Sequence, residues 1–66
     1  MIGELRIWKD AQGVPSEYRG KIFFVLCEET VVYDSALRRK HVKCMFEGKI
    51  MLWHPKFARQ NSKKVK

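Results

Sequence analysis

A run of basic side chains followed by a tryptophan is the part of this sequence with the clearest chemistry. Arg38, Arg39 and Lys40 are consecutive, and Lys43 and Trp53 follow them. Cationic side chains bind phosphates, and an exposed indole stacks on a nucleobase. The pattern predicts a surface that binds nucleic acid by charge and shape. The alternative is a solvated basic loop, with Trp53 packed beneath lysine side chains.

Further basic residues lie at the end of the chain. The formal net charge of the 66 residues is +7, and residues 56–66 contribute five basic side chains and no acidic one, which leaves +2 for the rest. Lys63 and Lys64 therefore join the predicted nucleic-acid-binding residues. Residues 59–66 contain one large apolar residue, Val65, and this composition predicts a basic disordered tail.

Two aromatic residues flank a long loop and indicate a second class of function. Trp8 and Tyr18 enclose the segment Lys9 to Arg19, which has no apolar periodicity, and Asp10 and Glu17 lie beside them. Aromatic grooves bind proline-rich peptides. The alternative prediction is therefore a protein–protein adaptor, using this loop or an exposed strand edge. The simpler interpretation is that both rings pack across the base of the loop.

No arrangement of residues predicts catalysis. No carboxylate lies near His54 in the sequence, and the serines lack the glycine-flanked turn of a nucleophile elbow. The cysteines, Cys27 and Cys44, lie in apolar runs and form no CxxC pair. We expect no enzyme activity, no cofactor and no metal site, and we expect both thiols to be buried and reduced.

Alternating apolar residues predict five short strands that position these side chains. The predicted strands are Ile2–Trp8, Lys21–Cys27, Thr30–Tyr33 and the two halves of a hairpin within residues 42–53. Glu28 and Glu29 are expected to interrupt the second apolar run. Asp34 and Ser35 suit a turn that bonds nearby backbone amides. Pro55 should end the last strand, and residues 56–58 should form a single 3₁₀ turn.

The register of the hairpin has two solutions. A two-residue turn at Glu47 and Gly48 sets Cys44 opposite Met51, whereas a three-residue loop sets Cys44 opposite Ile50. The longer loop is preferred because it turns Lys43 and Lys49 outward together. The predicted core then consists of Leu5, Ile7, Ile22, Phe24, Val32, Val42, Cys44, Ile50 and Leu52. The predicted outer stripe of Met45, Met51 and Trp53 would suit a small homo-oligomer.

Three segments resemble the small SH3-like barrel proteins encoded by tailed bacteriophages. They are Ile2-Gly3-Glu4-Leu5, Tyr18-Arg19-Gly20-Lys21-Ile22 and residues 42–55, which end in Trp53-His54-Pro55. The resemblance covers residues 2 to about 58 and implies an all-β, five-stranded SH3-like barrel. We therefore assign residues 1–58 to the barrel, with the 3₁₀ turn closing it, and residues 59–66 to the disordered tail. The resemblance also implies no enzyme activity and no cofactor. Such barrels bind nucleic acid or protein.

Composition sets the expected location and size. The chain length predicts one domain with a small core. No apolar run approaches the roughly 18 residues of a membrane span, and the first ten residues lack the layout of a signal peptide. We expect a cytoplasmic protein (of the host cell, if a phage encodes it). It should bind no membrane and should be a monomer or a small homo-oligomer.

Overall fold

The computed structural model describes residues 1–65, which are mostly β-structure. One antiparallel sheet contains five strands in the order β4-β3-β2-β1-β5. In chain order, the elements are β1 (Leu5–Trp8), β2 (Ile22–Val32), β3 (Arg38–Phe46), β4 (Lys49–Trp53), α1 (Pro55–Gln60) and β5 (Ser62–Lys64). Within residues 1–65 no helix is long and apolar enough to cross a membrane.

The sheet is open at both sides. In the part of the chain that the structure describes, β4 and β5 form the two edges and do not pair with each other. The number of antiparallel strands is therefore the predicted five, although two predicted strands form the single strand β2 and β5 lies in the predicted tail. The pairing does not show the closed barrel that the resemblance implies.

Strand β2 differs from the predicted strands in its length and in a bulge. It runs without a break through Glu28 and Glu29, which pair with Val42 and His41 of β3. A bulge lies at Leu26, because Val25 pairs with Cys44 while Cys27 pairs with Lys43. Bulges strengthen the local twist and bend the strand. Cross-strand pairing outweighs the low strand propensity of the two glutamates. The basic residues 38–40 likewise belong to β3 and not to a loop.

The hairpin between β3 and β4 has the shorter turn. Cys44 pairs with Met51, and Phe46 pairs with Lys49, so only Glu47 and Gly48 form the loop. Both have positive φ, 51° and 76°, as in a type I′ turn, whose twist matches that of the flanking strands. The preference for a three-residue loop was wrong. The observed register directs Trp53 and Met51 toward the core and Ile50 and Leu52 away from it.

The buried face of β1, of the first part of β2 and of β4 is therefore opposite to the one predicted, whereas the buried face of β3 agrees with the prediction. Of the predicted core residues, only Val42 and Cys44 are buried, and Ile7 and Phe24 are partly buried. The other five are exposed: Leu5, Ile22, Val32, Ile50 and Leu52. The buried cluster instead consists of Trp8, Val14, Phe23, Val25, Val42, Cys44, Phe46, Trp53 and Ala58. Aromatic rings remove more area from water than Leu or Ile, so the face that carries them becomes the core.

The end of the chain is ordered through residue 64. His54 caps α1, with its Nδ1 accepting from the Lys56 amide at 3.2 Å, and Pro55 occupies the first turn. Helix α1 replaces the predicted 3₁₀ turn. β5 then pairs with β1, so the prediction of a disordered tail is wrong for residues 59–64. The part of that prediction that concerns Lys66 lies outside the described residues.

A buried arginine joins β1 to this C-terminal segment. Arg6 is 9% exposed. Its Nε donates to Ser62 Oγ at 2.7 Å, and its guanidinium also donates to the carbonyls of Ser62 and Arg59. The Glu4 carboxylate accepts from the same guanidinium at 2.8 Å. Ser62 Oγ in turn donates to the Ala58 carbonyl. These bonds supply the partners that a buried charge requires.

A matched pair of valines in β2 tests the assignment of the core. Val25 is fully buried and Val32 is 59% exposed. Val25→Ala should lower the free energy of unfolding by about 2 kcal/mol, because it removes two buried methyl groups and leaves a cavity. Val32→Ala should change it by less than about 0.5 kcal/mol. Urea unfolding of both variants measures the difference. Equal losses would show that the core face is misassigned.

The Arg6–Glu4 pair predicts acid sensitivity. Hydrogen bonding from Arg6 lowers the pKa of Glu4 below its ordinary value of 4.5, partial desolvation opposes this, and the N-terminus and Lys64 add to the lowering. A carboxyl with a lowered folded pKa stabilises the fold above its unfolded pKa, and this stabilisation is lost as pH falls through the folded pKa. Glu4→Gln should therefore reduce the loss of Tm between neutral and strongly acidic pH. Glu28→Gln controls for net charge, and an unchanged pH profile in Glu4→Gln would contradict this role.

Candidate nucleic-acid interface

The predicted basic cluster lies on a two-stranded extension of the sheet. β1 pairs with β2 only at residues 22–24, and β4 pairs with β3 only at residues 42–46. Residues 29–32 and 38–41 therefore pair only with each other among the described strands. We call residues 29–41 the distal ribbon. All of its side chains are exposed except Val31 and His41, which are partly buried.

The tip of the distal ribbon is held by a single carboxylate. Asp34 Oδ1 accepts from the amides of Ala36 and Leu37, each at 2.8 Å. The Tyr33 amide donates to the Leu37 carbonyl at 3.0 Å. This is the Asx-type bonding expected of Asp34 in a turn. The tip is therefore an ordered turn, and Asp34 is already engaged in local hydrogen bonds.

The three cations of the distal ribbon have no compensating charge opposite them. Arg38 pairs with Val32, Arg39 with Val31 and Lys40 with Thr30, so every cross-strand partner is neutral. Within residues 1–65, none of the three takes part in a salt bridge. All three are exposed. Cations that lack a protein partner and remain in water are available for an external anion.

Strand alternation divides these cations between two faces. Arg38 and Lys40 share a face with Val42, while Arg39 points to the other side with His41 and Lys43. Lys43 lies at the base of the ribbon, opposite Cys27. The sequence-based grouping of Arg38, Arg39, Lys40 and Lys43 as one contact face is therefore corrected. The distal ribbon carries positive charge on both of its sides.

The C-terminal lysines lie elsewhere on the molecule. β1 and β2 separate β5 from β3 in the sheet order. Lys63 pairs with Ile7, and Lys64 pairs with Arg6 and lies 3.8 Å from the Glu4 carboxylate. The structure does not bring Lys63 and Lys64 together with residues 38–40 in one interface.

The structure overturns base stacking by Trp53. The indole is 9% exposed and packs edge-on against Trp8, with ring centroids 4.9 Å apart, and against Phe23 at 5.2 Å. The exposed aromatic residue near the cations is Tyr33, which is 56% exposed. Sequence reasoning missed Tyr33. Its place directly before the Asp34 turn was the available signal, because residues at hairpin tips remain exposed.

The two histidines lie near this aromatic residue. His41 Nε2 is 3.1 Å from Tyr33 Oη, and the His41 and His54 rings are 6.3 Å apart. His54 serves as the helix cap. Among the described residues, no three His, Cys, Asp or Glu side chains cluster as metal ligands would.

The predicted peptide groove does not form around Trp8 and Tyr18. Trp8 is 1% exposed, and Tyr18 packs against it at 5.4 Å and against Phe46 at 4.9 Å. This is the simpler interpretation, in which both rings pack at the base of the loop. A shallow groove of about 520 Å³ lies beside the loop. Trp8 and Asp10 line it, but Glu17 and Tyr18 do not, so the four predicted adaptor residues do not share one groove.

The two thiols differ, which corrects the prediction that both are buried. Cys27 is exposed and Cys44 is fully buried. Burial, with a smaller contribution from nearby Cys27, raises the pKa of Cys44 to about 11. Because the thiolate is the reactive form, Cys44 should be inert in the folded protein.

Comparison of the chain with protein-family models, with curated proteins and with solved structures returned no match.

Thiol labelling tests the placement of the cysteines. In the native protein at mildly alkaline pH, a thiol reagent should modify Cys27 rapidly and Cys44 only after unfolding. Cys27→Ser should abolish the fast phase, while Cys44→Ser should preserve it. Two fast equivalents, or a fast phase that survives Cys27→Ser, would show that Cys44 is accessible.

Proposed function

We propose that this chain is a small non-enzymatic module that binds duplex nucleic acid by charge and shape through the distal ribbon. The observation that carries the proposal is the set of three exposed cations, Arg38, Arg39 and Lys40, with neutral cross-strand partners and no salt bridge among the described residues. Contacts between such charges and the phosphate backbone favour binding, because each contact releases condensed counterions.

The form of the distal ribbon favours a groove over a flat contact. The major groove of B-form DNA is about 12 Å wide and admits a two-stranded ribbon, whose strands lie about 4.8 Å apart. A ribbon inside a groove has a phosphate backbone on each side. Arg39 on one face and Arg38 with Lys40 on the other would then each meet one backbone. This geometry contacts phosphates more than base edges, so binding should depend weakly on sequence.

The fold proposed for this function is an SH3-like barrel. β2 is long and bulged at Leu26, so one part of it pairs with β1 and the other extends into the distal ribbon. A bend at such a bulge is how a small sheet curls toward closure. The resemblance to phage-encoded SH3-like proteins stays a prediction, as does the absence of enzyme activity that it implies.

A salt titration tests the proposed interface. Fluorescence anisotropy with a labelled duplex of about two helical turns should show binding that weakens steeply with salt. The variant Arg38→Gln/Arg39→Gln/Lys40→Gln should reduce the log–log salt slope by up to about 2.7, since each duplex phosphate contact contributes about 0.9. A single strand of the same length should bind more weakly, because it offers no groove.

The matched control is Lys63→Gln/Lys64→Gln, which removes like charges from β5. It should change the slope far less per charge than the triple variant does. If the β5 variant lowers the salt slope more per charge than the triple variant does, the interface lies at the β5 edge of the sheet. No binding to the duplex at low salt would end the nucleic-acid proposal.

A further inference from the structure

The sheet has an apolar face that no part of the described chain covers. Residues directly opposite each other on antiparallel strands share a face. Leu5 pairs with Phe24, Phe24 with Met45, and Met45 with Ile50, which places one apolar row across four strands. Neighbouring strands lie about 4.8 Å apart, so this row is about 15 Å long. We define the outer face as Leu5, Ile22, Phe24, Met45, Ile50 and Leu52.

The apolar side chains of the outer face are about half exposed. Leu5, Ile22, Met45, Ile50 and Leu52 are between 40% and 49% exposed, and Phe24 is partly exposed between them. Scattered apolar residues are normal on protein surfaces, whereas a contiguous set marks an interaction site. The predicted stripe of Met45, Met51 and Trp53 is corrected here, because Met51 and Trp53 point to the core.

The charged strand residues that directly flank the outer face are lysines. Lys43 pairs with Leu52, and Lys63 pairs with Ile7 beside the apolar row. Of the acidic residues on the described strands, only Glu29 points to this side, and it lies out on the distal ribbon. A partner that covers the row thus brings its flanks beside lysines, which favours carboxylates at those flanks.

The same charges disfavour a second copy of this chain. Face-to-face packing would bring the Lys43 and Lys63 side chains of two protomers toward one another, and each chain carries a net charge of +7. Like charges across an interface suppress association, and a high net charge keeps proteins monomeric. The apolar row and its basic flanks therefore match an acidic partner better than a homodimer.

We propose that the outer face docks an acidic amphipathic segment of another protein, with apolar side chains on Phe24, Met45 and Ile50 and carboxylates beside Lys43 and Lys63. Helices bind sheets and grooves through apolar anchors at spacings of three and four residues. The inference does not depend on nucleic-acid binding, because the distal ribbon contributes no residue to the outer face.

Peptide titration tests this proposal. The probe is a fluorescent amphipathic peptide of about 15 residues, long enough to form a helix on binding, with leucines on one face and glutamates on its flanks. A second peptide replaces every glutamate with lysine. The full chain should bind the acidic peptide with a Kd at least about tenfold lower than the Kd for the lysine peptide. Lys43→Glu/Lys63→Glu should reverse that preference.

Two variants, each replacing a pair of exposed apolar residues, distinguish docking on the outer face from nonspecific hydrophobic binding. Met45→Ser/Ile50→Ser should raise the Kd of the acidic peptide by about tenfold or more, because the variant removes central anchor residues of the interface. Val32→Ser/Leu37→Ser, on the distal ribbon, should leave the Kd unchanged. Equal losses in the two variants, equal affinity for the two peptides, or no binding of either peptide would overturn the proposal.

Two further measurements decide between occupants. Sedimentation would overturn the proposal if the chain alone forms a dimer that Met45→Ser/Ile50→Ser dissociates, since a second copy would then cover the face. Flotation with phosphatidylserine vesicles would overturn it if Met45 and Ile50 are required for binding to the vesicles but not for binding to the acidic peptide. The proposal is supported if the chain is a monomer that does not bind the vesicles and binds the acidic peptide.

Discussion

The way β1 faces determines which side of the sheet becomes the core. Arg6 and Trp8 point to the interior, where the guanidinium bonds to Ser62 and Glu4 and the indole packs among the aromatic residues. A buried guanidinium is costly unless its donors are used, as they are here. A slip of β1 by one residue would turn Arg6 and Trp8 to the outer face and break these contacts. With Arg6 and Trp8 inward, Leu5 and Ile7 must point outward. The pairing of β1 with β2 then determines which residues of the neighbouring strand point to the core.

That single orientation explains why the buried residues of β1 and of the first part of β2 were predicted on the wrong face. An arginine between Leu5 and Ile7 favours an outward charge and inward aliphatic residues, which is the usual pattern. Here the arginine lies inside because Ser62, 56 residues later, accepts its Nε–H. A contact at such a separation leaves no local signal in the sequence. The run from Ile22 to Leu26 is apolar at every position, so it could not decide the faces either.

The features that local chemistry determines were predictable. The turns at Asp34 and at Glu47–Gly48, the end of the last hairpin strand before Pro55, and most strand positions follow from residue types. The cations of the candidate site were identified, but their division between two faces depends on the pairing of β2 with β3. Trp53 was misplaced as a stacking residue because its exposure follows from the hairpin register, for which the sequence offered two solutions.

The free backbone edges of the distal ribbon have a consequence for how this protein avoids aggregation. Residues 29–32 and 38–41 each pair on one side only in the described structure, so their outer amides and carbonyls could accept a strand from another molecule. Exposed strand edges are templates for aggregation, and charged side chains protect them. Arg38, Arg39 and Lys40 lie on one such edge and Glu29 on the other. The cations proposed to bind nucleic acid therefore also protect the ribbon against self-assembly, so we expect a chain that lost them to be less soluble.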